Sequence, residues 1–426
     1  MSTSEFDGYK VDHLFLLIGE NPLPNYVAAN LLLNKGGTAY LVHTTGTNES
    51  ATRLQKILKS ELNGFKDVVL PSLGDYESDA FHIQKKISEE LEKIKAGKIG
   101  LNYTGGTKAM AVHSYRAAFA NRSDAIFSYL DPRRLEMCID REDGERDRIK
   151  IKPSTLPVQL VKIFQLHFQL DESNLKKLKA NIKKEPQLAG LANVFANIFA
   201  DKLKVDKWFS WYYDVFRKQT RKSNGKDDWK SEEALKDILI SLESLPGEIA
   251  LAFKQENFIN PDNKLSLKEV KKTENFIKNK HFCEWLNGLW LEHYVLRQIQ
   301  YLAECGYIND YGMTFNVPLP GTKQGFEFDV AFTRGYQLFA LSCTTESKRG
   351  MCKQKLFEAY LRARQMGGDE ARVALICCSN EPDTLKAEIA DSINDNKIQV
   401  FGREHLTNLS QEIADWIAQN DREASK

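Results

Sequence analysis

The sequence predicts an α/β protein in three parts: a doubly wound parallel sheet over residues 1–150, a helical region over 151–275, and a second α/β unit over 276–426. From Val11 to Leu130, apolar runs of strand length alternate with segments of helical period, the pattern of strands joined by crossover helices. After residue 150 the chain becomes Lys-rich and helical in pattern, with few strand signals. From Lys278 onward the order is helix, three strands, helix, strand. A chain of 426 residues has room for two or three domains, each with its own core.

In the first part, Val11–Ile18 is a buried apolar strand and Pro24–Asn34 a helix that Gly36-Gly37 ends. Thr38–His43 is a second strand, Glu49–Leu62 a second helix and Val68–Pro71 a short strand. Asp79–Lys95 is an amphipathic helix with Phe81, Ile83, Ile87, Leu91 and Ile94 mostly on one side. Ile99–Tyr103 follows as a strand, then a glycine turn, a helix that starts at that turn and runs on through Ala111 to Asn121, and the strand Ala125–Leu130. In such sheets ligands sit beyond the carboxyl ends of the strands, where the strand order reverses. Three loops lie at those ends: Gly19-Glu20-Asn21-Pro22, Thr44-Thr45-Gly46-Thr47 and Thr104-Gly105-Gly106-Thr107.

The last of these is the strongest local signal. Gly105 and Gly106 let a ligand approach the backbone, Thr107 is placed to cap the helix, and Lys108 adds a positive charge. With the unpaired N–H groups of a first helical turn, this composition suits a phosphate. It has neither P-loop spacing nor GxGxxG, and a plain strand-to-helix turn is the structural alternative. The candidate ligand-binding residues are Glu20, Asn21, Thr44, Thr45, Thr104, Gly105, Gly106, Thr107 and Lys108.

Composition narrows the rest. Lys+Arg number 59 and Asp+Glu 58, so any nucleic-acid surface is local rather than global. No run of 18 apolar residues occurs, and MSTSEFDGYK lacks the apolar segment of a signal peptide, which predicts a soluble cytoplasmic protein with no membrane partner. The seven cysteines show no zinc-site spacing and suit a reducing compartment. The aromatic stripe Phe195, Phe199, Trp208, Trp211, Tyr212 and Phe216 reads as helical core in preference to a base-stacking platform. Arg217–Trp229 reads as a solvated basic linker.

In the third part, Lys278–Glu304 reads as one long helix; Gly312–Val317, Gly325–Phe332 and Tyr336–Thr344 are strands. Lys353–Met366 is a helix closed by Gly367-Gly368, followed by strands at Val373–Cys378 and Lys397–Phe401. Alternation puts Glu327 and Asp329 on one strand face, where two carboxylates need a cation, a Lys or an Arg beside them. Ordinary surface ion pairing is the alternative.

This order, with its hairpin carboxylates, resembles the PD-(D/E)xK nuclease superfamily. The resemblance implies that Asp329 and Glu327 serve a divalent metal, Mn²⁺ or Mg²⁺, that activates water, with Glu292 of the preceding helix as a further acidic ligand. The central strand departs from the pattern, since it ends Ser342-Cys343-Thr344 where Glu-x-Lys is expected. Glu346-Ser347-Lys348 comes just after, but Glu346 lies about 13 Å beyond Ser342 in an extended chain at ~3.3 Å per residue. Either the chain bends back to bring in Glu346 and Lys348, or the functional groups migrate onto the next helix as Lys355 and Glu358.

The two ends together resemble CRISPR-associated proteins that fuse a CARF (CRISPR-associated Rossmann fold) domain to a PD-(D/E)xK nuclease. The resemblance rests on residues 104–110, the first-strand loop and Val42-His43-Thr44-Thr45 at one end. At the other it rests on Trp290-Leu291-Glu292, Glu327 to Val330, Leu341 to Thr344, Lys355 to Glu358, and Arg364 to Gly368. It implies a Rossmann-like domain, a restriction-endonuclease-like α/β domain, and a homodimer that binds cyclic tetra-adenylate and then cuts DNA, RNA or both in type III CRISPR defence. Asp329, Glu292 and Glu346 would hold the metal. Other readings stay open: a sensor without catalysis, a nuclease without a nucleotide switch, and a CARF unit that cleaves its own ligand.

Overall fold

The computed structural model describes residues 4–61, 64–140, 145–222, 228–318, 325–393, 395 and 397–425, with backbone alone at 316–318 and 325–327. The first sheet contains β1 (Val11–Leu17), β2 (Leu33–Val42), β3 (Asp67–Val69), β4 (Ile99–Asn102), β5 (Ile126–Asp131), β6 (Glu136–Asp140) and β7 (Arg146–Lys150). Their spatial order is 3-2-1-4-5-6-7. The first five strands are parallel, joined by α1 (Leu23–Leu32), α2 (Asn48–Ser60), α3 (Ala80–Glu92) and α4 (Lys108–Asn121). The order reverses between β1 and β4, so the loops after those two strands flank the switch point.

The doubly wound sheet is the one the sequence predicts, with three local differences. Gly36-Gly37 does not end α1. The helix stops when Leu33 turns extended, and both glycines lie inside β2, where Gly36 has φ +75°. There the pairing jumps from Val11↔Leu33 to His13↔Thr38, so the glycines absorb the extra residues as a bulge. Phe81 is 68% exposed while Ile83, Ile87 and Leu91 are buried. Two residues before Ile83 at 100° per residue, it falls on the far side of the helix. The antiparallel β6–β7 hairpin at the sheet edge was not anticipated, because RDRIK in β7 is too charged to read as a strand.

The helical region contains α5 (Leu160–His167), α6 (Glu172–Asn181), α7 (Ala189–Ala200), α8 (Lys202–Trp211), a π-helical turn Tyr212–Arg217 and α9 (Lys218–Thr220). The strands β8 (Leu239–Ile240) and β9 (Leu265–Ser266) form a small ladder among α10 (Glu232–Leu235), α11 (Gly247–Gln255) and α12 (Leu267–Lys272). The six aromatics of the stripe are buried, as a core reading requires. Each such ring contributes on the order of 1.5–3 kcal/mol by leaving water.

The C-terminal unit opens with α13 (Asn279–Glu284), a π-helical turn Trp285–Leu289 and α14 (Trp290–Glu304). One unbroken helix was expected here; Gly288, at φ +148° and ψ −25°, interrupts it. Its sheet runs β10 (Asp310–Pro318), β11 (Gly325–Arg334), β12 (Gln337–Cys343), β13 (Arg372–Ile376) and β14 (Ile398–Phe401) in that spatial order. The first three are antiparallel and the last two join in parallel. α15 (Arg349–Gly367) follows β12, α16 (Pro382–Ile393) follows β13, and α17 (Leu409–Ala424) closes the chain.

Side-chain alternation divides the β12 face contacts. Leu338 and Ala340 join a core that includes the first sheet, α1 and α5, whereas Phe339 and Leu341 join the aromatic core of the helical region. Among the described residues, no helix is long and apolar enough to cross a membrane.

Candidate functional site

At the switch point the glycine turn is pressed against the end of β1. A Cβ on Gly105 would lie 2.1 Å from the Leu17 carbonyl oxygen, and one on Gly19 would lie 3.3 Å from the Gly106 nitrogen. Gly106 has φ +73°, which favours glycine on backbone grounds as well. Thr107 caps α4 by accepting the Met110 N–H at 3.1 Å and donates its hydroxyl to the Glu77 carbonyl at 2.8 Å. Lys108 opens the helix and is exposed. The N–H groups of that first turn have no intrahelical acceptor, so the geometry suits an anion.

The other candidates divide by orientation. Glu20 and Thr45 are exposed at the rim. Thr44 is buried and bound to Thr47, whose hydroxyl accepts the Thr44 N–H at 3.0 Å. Thr104 accepts the Leu130 N–H at 2.7 Å and so pins the turn to β5. The Asn21 oxygen accepts the Leu23 N–H at 2.9 Å and lies 3.0 Å from His167 Nε2 on α5. A Cβ on Gly368, after α15, would lie 2.5 Å from the Asn21 amide nitrogen. Asn21 therefore joins the first loop to the C-terminal unit. Burial pushes the His167 imidazole down to about 4, so it stays neutral at physiological pH.

Two amides escaped the sequence reading. Asn25 is fully buried, donates to the Leu17 carbonyl at 2.9 Å, and keeps an unpartnered oxygen beside Gly105. Asn102 is fully buried at the end of β4 and accepts the Thr104 N–H at 3.3 Å. An amide inside an apolar run is the signal that could have found them.

In the C-terminal unit, Asp329 is the centre of the candidate catalytic site. Its Oδ2 accepts the Cys343 N–H at 2.6 Å and the Ser342 hydroxyl at 3.1 Å. Burial raises its pKa; the Cys343 N–H and then Lys355 oppose the rise, and Glu358 adds to it. Burial also drives the Cys343 thiol well up, with the nearby charges of Asp329 and Glu292 adding to the effect. Ser342, Cys343, Lys355 and Glu358 are thus gathered round Asp329, and Glu292 lies near Cys343 as well. Glu292 lines a cavity of about 380 Å³ with Asn287, Gly288, Cys343, Thr344 and Thr345. Glu327 pairs with Asn316 in the β10–β11 ladder, but its side chain lies outside the described residues.

Glu346 and Lys348 are exposed and line a neighbouring cavity of about 490 Å³, whereas Lys355 and Glu358 are the side-chain charges that act most on Asp329. Of the two routes open from sequence, the geometry favours the one through α15. Lys353 is drawn into an ion pair with Glu388 at 2.6 Å. Among the described residues, no group of three His, Cys, Asp or Glu side chains is disposed to hold a metal ion.

Residues 14–160 match the family described as the Card1 CARF domain. No curated protein matches the chain. Among solved structures, the fold is similar to protein VC1899 from Vibrio cholerae at 15% identity and a TM-score of 0.67, over 96% of this chain and 98% of that one. It is also similar to Can2 from Sulfobacillus thermosulfidooxidans, solved in complex with cyclic tetra-adenylate, at 15% identity and a TM-score of 0.64, over 95% and 99%. A type III CRISPR defence DNA nuclease activated by cyclic oligoadenylate aligns at 17% identity and a TM-score of 0.44, over 86% of this chain and 45% of that one. The first sheet is a Rossmann-like CARF sheet, set in a mixed α/β chain whose C-terminal part builds a second sheet of its own.

Proposed function

We propose that the protein is a cyclic-oligoadenylate-activated, metal-dependent nuclease that cuts DNA, RNA or both in the cytoplasm, as part of type III CRISPR defence. The observation that carries this reading is a CARF match over residues 14–160 in a chain that folds, over 95% of its length, like a protein solved with cyclic tetra-adenylate. The phosphates would meet Gly105, Gly106, Thr107 and Lys108, with Glu20 and Thr45 at the rim. A cyclic tetra-adenylate ring has two-fold symmetry and fits a two-fold dimer that presents each loop twice.

The dimer face would be the α3–α4 side of the sheet. Val112 and Phe119 of α4 are 62% and 54% exposed, and Phe81 and Tyr76 are 68% and 50% exposed. Large apolar side chains exposed on packed neighbouring helices mark an interaction surface. The Val112→Glu, Phe119→Glu double variant is expected to be monomeric by light scattering and to lose its response to cyclic tetra-adenylate. A dimer of unchanged mass would place the interface elsewhere.

In the nuclease unit, Asp329 and Glu292 offer hard oxygen donors, with Glu327 two residues from Asp329 in β11. Magnesium needs only one or two carboxylates when water and substrate phosphate complete its shell. A carboxyl whose ionised form is disfavoured by burial is one that a cation would stabilise. When bound, such an ion supplies an activated water and offsets charge on the phosphate. Ser342 and the Cys343 N–H hold the Asp329 carboxylate in place, and Lys355, kept near it by α15, would orient the attacking water.

The second reading, a sensor without catalysis, is favoured by Ser342-Cys343-Thr344 at the strand end. The test is supercoiled plasmid or single-stranded RNA with Mn²⁺ or Mg²⁺, with and without cyclic tetra-adenylate. Cleavage that needs the cyclic nucleotide and disappears in Asp329→Ala supports the nuclease. Nucleotide binding without cleavage supports the sensor.

A further inference from the structure

The second cavity lies beside the proposed cleavage site, and its wall is aromatic and basic. It is lined by Phe209, Tyr213 and Arg217 of α8 and the turn after it, by Asn287 and Trp290 at the Gly288 kink, and by Lys348 after β12. At about 490 Å³ it has the size of a small-ligand site. Asn287 and Thr345 also line the cavity that contains Glu292, so the two are contiguous.

Most aromatics of this stretch are core, but two are not. Tyr213 is 48% exposed, and Phe209, half-buried, stacks on it with ring centroids 5.9 Å apart and planes at 24°. The Arg217 guanidinium lies 5.5 Å from the centre of the Tyr213 ring. Trp290 is fully buried and forms part of the cavity's inner wall. Asn287 accepts the Tyr212 hydroxyl, which fixes its amide at the shared wall.

We propose that this cavity is a nucleobase pocket, in which an unpaired base of the bound strand stacks against Tyr213 while Arg217 and Lys348 meet its flanking phosphates. The proposal rests on the nuclease reading for the identity of the strand and for the neighbouring scissile phosphate. A planar base supplies the face that an exposed aromatic ring stacks on. A base inside a duplex cannot enter, so the pocket selects single strands or bases drawn out of a helix. Lys348 gains a role here as part of the strand-holding wall, while Glu346, which also lines the cavity, carries the sign that phosphate avoids.

The test is fluorescence anisotropy of a labelled twelve-thymidine single strand with the full-length Asp329→Ala protein, cyclic tetra-adenylate and Mg²⁺, compared with the same strand made abasic. Tyr213→Ala, added to that background, is expected to weaken binding of the thymidine strand by on the order of tenfold and to leave the abasic strand unchanged. Tyr213→Trp is expected to restore binding. Equal binding by Tyr213→Ala, equal losses on both strands, or no strand binding at all would overturn the pocket. Base-dependent binding by a protein that never cuts would uphold the pocket and defeat the nuclease. Cleavage by the parent protein with no base dependence would do the reverse.

Discussion

Asp329→Asn is expected to abolish cleavage and, in EDTA, to raise the melting temperature. The asparagine oxygen can still accept the Cys343 N–H and the Ser342 hydroxyl, so the local hydrogen bonds survive the change. What is lost is the charge that a metal ion needs, and a loss of at least about 10³-fold in rate corresponds to ~4 kcal/mol of transition-state stabilisation. The stability effect has the opposite sign. Burial raises the carboxyl pKa of the folded protein above 3.8, so its contribution is fully present below that value and is lost as pH rises through the folded pKa. At pH 7 the buried carboxyl is a liability, which asparagine removes. The difference in melting temperature between variant and parent should therefore shrink as pH falls toward 4. Mn²⁺ should then raise the melting temperature of the parent and not of the variant. A variant that melts lower than the parent at pH 7 in EDTA would show that the carboxylate is there for structure.

The sequence was most readable where local pattern and tertiary role agree. β1, β2, β4 and β5 are apolar runs because they are buried strands of a parallel sheet, and the glycine turn stands out because backbone approaches backbone there. Reading failed where one local pattern serves two structures. Gly36-Gly37 is as good a helix stop as it is a bulge, and 278–304 keeps a helical pattern straight across a glycine at φ +148°. At the sites, residue chemistry was legible and direction was not. Asn21 and Thr44 lie in the expected loops, yet their side chains contact His167 and the Thr47 hydroxyl. Lys355 reaches the neighbourhood of Asp329 because α15 packs across β12, a tertiary fact that spacing within the helix does not encode. Half-buried Phe209 and exposed Tyr213 lie between the members of a stripe that is itself core, so the pattern gave no reason to single them out.

Gly105→Ala is expected to remove the response to cyclic tetra-adenylate while leaving the Asp329 site intact. The added methyl would lie 2.1 Å from the Leu17 carbonyl oxygen and 3.2 Å from the Asn25 side-chain oxygen. Neither neighbour can yield cheaply, because Leu17 is held in the β1–β2 ladder opposite Val42 and its carbonyl already accepts the Asn25 amide. The turn itself must move, and with it Gly106, the Thr107 cap and the first N–H groups of α4. Overpacking of this kind costs about 1–3 kcal/mol, which is roughly 2–12 °C for a unit of this size. Gly46→Ala is the matched control: it lies in a neighbouring loop of the same face, and its Cβ would approach nothing closer than 3.8 Å. It should keep its melting temperature and its nucleotide affinity by calorimetry. If Gly105→Ala loses stability but keeps full affinity, the glycine is needed only for packing and the phosphates bind elsewhere. If affinity falls while Mn²⁺ still raises the melting temperature, ligand recognition and metal binding are separable, as two sites on two sheets require.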